Sequence, residues 1–154
     1  MDPIDKYFSR FRDFQYEPSR DWRQLGPFNA LAKHRHWDVN KKKKEFRRLQ
    51  QAWTEAVESE FGGSTIDHYQ SLCEDLEIDP IPETVTECKS ELRAVFVNIV
   101  DLMQYRRNGR RGRKPELFGT VEELRIYSVA HKKFYSKENA KAEMLRELLK
   151  VLIS

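Results

Sequence analysis

The sequence predicts an all-α fold: a compact single-domain bundle of six or seven helices around one central apolar helix near residues 83–105. Apolar side chains recur at three- and four-residue steps along most of the chain, the spacing of a helix face and not of a strand. Most of these stretches are opened by Ser, Thr or Asn, or closed by Gly or Pro, as helix ends require. The 154 residues are 39% hydrophobic and 12% aromatic, enough to bury one core and offset the entropy of ordering the chain.

Taken in order, Ile4, Tyr7, Phe8, Phe11 and Phe14 fit a short amphipathic helix. Pro18 and Ser19 interrupt it, and Trp22, Leu25, Phe28, Leu31 and Ala32 continue a stripe to about His34. Gly26 and Pro27 predict a kink or break within that stripe. Asn40 is the expected cap of a long helix carrying Phe46, Leu49, Trp53, Ala56, Val57 and Phe61 inward. Gly62 and Gly63 are expected to end it through left-handed backbone. Ser64 or Thr65 caps the next helix, with Ile66, Tyr69, Leu72, Cys73 and Leu76 inward, and the Asp79-Pro80-Ile81-Pro82 stretch is an extended connector. From Glu83 to Tyr105 the pattern is more apolar. A strand fits 95–100 locally, but length and flanking spacing favour one central helix. Thr120 and Glu123 have capping-box spacing before Leu124 and Tyr127. Ser136 is the expected cap of a last helix carrying Ala140, Met144, Leu145, Leu148, Leu149 and Leu152. No fixed-period repeat and no strong strand signal appear.

Several function classes are disfavoured. No stretch has the roughly 20 consecutive apolar residues of a membrane span, and the first residues lack the basic and apolar regions of a secretion signal. The expected location is therefore the nucleus or the cytoplasm, with no membrane partner. Cys73 and Cys88 are too few for a disulfide scaffold and read as buried thiols. His34 and His36 are two residues apart, a poor chelate on a helix. No phosphate loop, nucleophile elbow or His-Glu-x-x-His motif is present, so no cofactor, metal or catalytic residue is expected. A Cys73 or Cys88 thiol paired with His68 has only the generic appeal of any Cys and His in a small protein.

Charge is unevenly distributed. Residues 1–53 carry 13 basic and 7 acidic groups, 54–91 carry 1 and 11, and 92–154 carry 14 and 7. Lys41, Lys42, Lys43 and Lys44 form a run resembling a nuclear localisation signal, or else the solvated first turn of a helix, where positive charge opposes the macrodipole. Arg106, Arg107, Arg110, Arg111, Arg113 and Lys114 put six cations into nine residues with no acid, within a connector expected over 106–117. Its core, Arg111-Gly112-Arg113-Lys114-Pro115, resembles an AT-hook, which lays arginines into a narrow minor groove. The AT-hook core runs Arg-Gly-Arg-Pro, and Lys114 breaks that match. Asn98 and Asp101 are polar residues within the most apolar segment. They are either satisfied structural hydrogen bonders or the floor of a polar site.

Phe11-x-x-Phe14-x-Tyr16-x-Pro18-Ser19, the stretch from Phe28 and Leu31 to Trp37, and Val97-Asn98-Ile99-Val100-Asp101-Leu102 occur in that order. They are followed by Arg106-Arg107-x-Gly109 and Phe118-x-Thr120-x-x-Glu123-Leu124-Arg125-x-Tyr127. This order resembles a group of small, uncharacterised fungal all-α proteins and spans most of the chain. The resemblance implies a eukaryotic intracellular single domain and carries no activity, cofactor or site residue. The expected function is a non-catalytic helical interaction module. It would bind a protein partner or a second copy through an apolar groove or the acidic 74–79 edge. The alternative is a protein that binds DNA or RNA through the basic loop, supported by the lysine run. Opposition of the acidic 54–91 segment to the loop would neutralise the charge internally.

Overall fold

The helical spacing is realised as eight helices and one pair of two-residue strands among the described residues, 1–135 and 140–149, of a computed structural model. The all-α expectation holds. The chain forms two compact units, Met1–Val57 and Glu58–Ser154.

The first unit contains α1 (Pro3–Ser9), α2 (Leu25–His34) and most of α3 (Val39–Glu60). Asp2 caps α1, its side chain accepting from the Ile4 N–H at 2.9 Å. Gly26 and Pro27 cause no kink: α2 begins at Leu25, so Pro27 lies in the first turn, where a helix has no use for its missing N–H. Asp38, not Asn40, caps α3 by accepting from the Lys41 N–H at 2.7 Å. The core of this unit is aromatic. Phe28 lies 6.0 Å from Trp37 and 5.5 Å from Phe46, and Phe46 lies 5.5 Å from Trp53. These edge-on and tilted contacts add to the burial of the rings. Leu49, Ala52, Ala56 and Val57 complete the inward face of α3.

Glu45 lies on that same inward face and is fully buried. It accepts from the Tyr7 hydroxyl at 3.2 Å and from Arg48 Nη1 at 2.7 Å, with Lys41 at 3.4 Å and Arg10 at 3.5 Å. Burial works to raise its pKa, but Arg48, the Tyr7 hydrogen bond, Arg10 and Lys41 outweigh it and hold the carboxyl below the ordinary carboxylate value.

The second unit contains α4 (Ile66–Asp75), α5 (Val85–Arg93), α6 (Ile99–Arg107), α7 (Val121–His131) and α8 (Glu143–Leu148), with β1 (Phe96–Val97) antiparallel to β2 (Leu117–Phe118). Thr65 caps α4 and His68 completes the capping box. Neither Gly62 nor Gly63 adopts positive φ, so the α3 end is not left-handed. A Cβ at 63 would meet the His68 ring, so a larger residue there must displace that ring from the capping box. The single helix expected near 83–105 is instead α5, β1 and α6. Val95-Phe96-Val97 favours extended backbone. Asn98 then starts a new helix by accepting from the Asp101 N–H at 3.1 Å, the strongest local use of an asparagine side chain.

α5 packs against α4 and α8, with Lys89–Glu143 and Arg93–Glu147 ion pairs along the α5–α8 seam. The Lys141 and Ala142 N–H groups donate to the Glu58 carboxylate at 2.8 and 2.7 Å, holding the chain where it enters α8. Thr120 caps α7, while Glu123 reaches past it to the Gly119 N–H at 3.0 Å. Ala140, Met144, Leu145, Leu148 and Leu149 are buried as their spacing requires. Ser136 and Leu152 lie outside the described residues. No helix among the described residues is long and apolar enough to cross a membrane.

Candidate functional site

The basic loop begins at a helix end built by its own sequence. The Gly109 N–H donates to Arg106 O and the Arg110 N–H to Tyr105 O, with Gly109 at φ +69°. This pairing closes α6 as a Schellman motif and turns the chain sharply, leaving Arg110 beside α4.

Asp75, on α4, receives that arginine. Its two oxygens accept from Arg106 Nε at 2.8 Å and Arg110 Nε at 2.9 Å. The side chains of Asp75 and Arg106 are only 3% and 6% exposed. Arg106 also lies 3.6 Å from Glu60 and stacks 4.7 Å from the centroid of Phe61. Arg110 Nη2 reaches Ser71 Oγ at 3.0 Å, and Lys114 Nζ donates to the Glu74 carbonyl at 3.2 Å. The 74–79 edge is therefore not simply a solvated acidic surface, because its Asp75 is buried and holds the loop. Acid from the 54–91 segment does lie against the basic run, and it engages a defined subset of it.

Arg107, Arg111 and Arg113 are exposed. Arg111 and Arg113 enter no ion pair with a described residue. Gly112 between them has φ +81°, a left-handed conformation that a side chain would strain. Both arginines line a cavity of about 340 Å³ together with Asp101 and Gln104 of α6, its C-cap Asn108, and Tyr127 of α7. A second cavity, about 410 Å³, lies at Ser71, Glu74 and Asp75. Its cations, Arg110 and Lys114, are already engaged.

Asn98 and Asp101 serve a polar network. Beyond capping α6, Asn98 donates to Ser128 Oγ at 3.0 Å and to the Lys133 carbonyl at 2.9 Å. Asp101 accepts from the Tyr127 hydroxyl and from Lys133 Nζ, the latter at 2.7 Å. Burial disfavours the Lys133 ammonium, but its bonds to Asp101 and Tyr127 outweigh this and raise its pKa above the ordinary lysine value. The His131 ring lies tilted against Tyr127, with centroids 4.4 Å apart. Burial first, then the bond to Asp101, raises the Tyr127 pKa.

Lys41, Lys42, Lys43 and Lys44 lie in the first turns of α3, in the first unit. Successive side chains there rotate by about 100°, so the run does not present one linear face, and Lys41 belongs to the Glu45 cluster. His34 pairs with Asp13 at 3.3 Å, and His68 is committed to its capping box. Cys73 and Cys88 are buried thiols. Burial and then Cys88 push the Cys73 thiol up to about 12, far from a reactive thiolate.

One group of exposed apolar side chains was not singled out by sequence reasoning. Ile126 and Val129 are 61% and 55% exposed on the solvent side of α7, with Phe134 at 47% beyond its end and Leu117 at 37% on β2. These are four of the seven large exposed hydrophobics among the described residues, gathered within one short stretch of sequence. The signal was available: Ile126 and Val129 fall outside the Val121, Leu124, Tyr127 stripe, so that stripe cannot bury them. No family model, curated protein or solved structure matches the chain.

Proposed function

We propose that the chain is a non-catalytic interaction module that binds a protein partner along the solvent face of α7. The reading rests on the exposed pair Ile126 and Val129, one helical turn apart and so adjacent on the surface. Clustered apolar exposure of this kind marks interaction sites. Charge specifies the occupant. α7 opens with Glu122 and Glu123 and closes with His131, followed by Lys132. An amphipathic helix lying antiparallel would set its own acidic first turn beside His131 and Lys132, and its basic last turn beside Glu122 and Glu123.

The test replaces Ile126 and Val129 together by Glu and compares proteins co-purified from cells with wild type and variant. Both side chains are exposed, so folding stability should change by no more than about 0.5 kcal/mol, while partners of the wild type disappear from the variant. Recovery of the same partners with both proteins contradicts the proposal. Nucleic-acid binding by the loop is the second reading, favoured by the exposure of Arg111 and Arg113. With Arg106, Arg110 and Lys114 engaged inside the chain, it has too few phosphate contacts to be placed first.

A further inference from the structure

We propose that the cavity between the 111–116 loop and the exposed side of α6 binds a small organic phosphate, through a phosphomonoester held by Arg111 and Arg113. This site is separate from the α7 face and does not depend on the protein-binding reading. Five of the six cations at 106–114 divide into two sets. Arg106 and Arg110 meet on Asp75, and Lys114 bonds the Glu74 carbonyl. Those contacts fix both ends of the 110–114 segment, so the loop is ordered before any ligand arrives and binding loses less entropy. Arg111 and Arg113 take no part in the anchoring, and both line the 340 Å³ cavity.

The cavity favours an anion although Asp101 and Glu116 also line it. Asp101 is neutralised by Lys133 at 2.7 Å, which leaves the lining cations in excess. Two guanidinium groups match a phosphomonoester better than a single carboxylate, because each can donate two parallel N–H bonds to peripheral oxygens. Asn108 also lines the cavity, and its amide can supply a neutral donor and acceptor. A volume of about 340 Å³ is at the lower end of the range for small-molecule sites. It exceeds what a bare phosphate fills, and the remainder borders the Tyr105 and Tyr127 side chains. The ligand is therefore an ester with an organic body, of about mononucleotide size.

The test is calorimetric titration of the whole protein with adenosine 5′-monophosphate and, separately, with inorganic phosphate. Saturable binding of the nucleotide is expected with Kd on the order of 10–100 µM, and weaker binding of phosphate alone. Arg111→Ala with Arg113→Ala should weaken nucleotide binding by about tenfold or more. Lys42→Ala with Lys43→Ala removes the same charge elsewhere and should leave it unchanged. So should the double Glu substitution on α7. No saturation at millimolar nucleotide, or equal weakening by the lysine control, overturns the proposal, as does phosphate binding as tightly as the nucleotide. A short single-stranded oligonucleotide with and without a 5′-phosphate identifies the source of the ester. Tighter binding of the phosphorylated form than of the free nucleotide assigns the site to a nucleic-acid end. Equal binding of both forms overturns the phosphomonoester assignment.

Discussion

Replacing Asp75 by Ala is expected to cost about 3–5 kcal/mol of stability in the second unit. Asp75 meets both Arg106 and Arg110 on its two oxygens, and it is almost fully buried. Arg110 is 44% exposed and can return to water. Arg106 cannot: its side chain is 6% exposed, its Nη2 is buried without a hydrogen-bond partner among the described residues, and Glu60 at 3.6 Å is its one other carboxylate among them. The cost is thus mainly that of a buried charge left without its counter-charge, which exceeds the net worth of the pair itself. Hydrogen exchange of the α4 and α6 amides measures it. Faster exchange across both helices is the expected result. Exchange confined to the loop would show that the pair orders the loop and nothing more. Replacing Asp75 by Leu and Arg106 by Met together should recover most of the loss, since apolar pairs of similar volume commonly equal or surpass a buried ion pair.

Glu45→Ala is expected to destabilise the first unit by about 1–3 kcal/mol, because its cationic partners are half-exposed and can return to water. It removes the acceptor of the buried Tyr7 hydroxyl and the shared partner of Arg10, Lys41 and Arg48. Trp22, Trp37 and Trp53 are the three tryptophans of the chain and all lie in this unit, so intrinsic fluorescence in urea follows it selectively. Glu45 also gives a pH dependence of known sign. Its folded pKa lies below the ordinary value, so the unfolded chain takes up the proton first. The stabilisation is complete above the unfolded carboxylate range, about pH 4–5. It is lost as pH falls from there through the lower folded value. Glu45→Gln should flatten that part of the stability profile. A variant profile as steep as the wild type places the acid sensitivity elsewhere.

Much of the fold was legible because helix faces and caps are local. Leu49, Ala56 and Val57, and Tyr69, Leu72 and Leu76, are inward from spacing alone, Thr120 is readable as a cap, and the cap of α4 is narrowed to Ser64 or Thr65. The central helix was misread because Val95, Phe96 and Val97 fit a helical stripe as well as a strand. Length and flanking spacing favoured one helix, and the break falls at Asn98, which caps α6 and is also held by Ser128 and the Lys133 carbonyl, distant in sequence. The site was less legible for the same reason. The density of cations at 106–114 is visible in the sequence, but their division between Asp75 and the cavity is set by tertiary contacts. Glu45 carried a readable sign, lying four residues before Leu49 on the buried face. Asp75 carried a fainter one, between Leu72 and Leu76 on α4.

That division of the loop is the centre of the account, and chemical denaturation of two paired variants tests it most directly. Arg106→Ala with Arg110→Ala leaves Asp75 buried and unpaired, and should lower the stability of the second unit by several kcal/mol, about 3 or more. Arg111→Ala with Arg113→Ala removes the same charge from the same loop, and should leave stability within about 0.5 kcal/mol of the wild type. Equal losses in the two variants would contradict the account, because the loop cations would then act as one set.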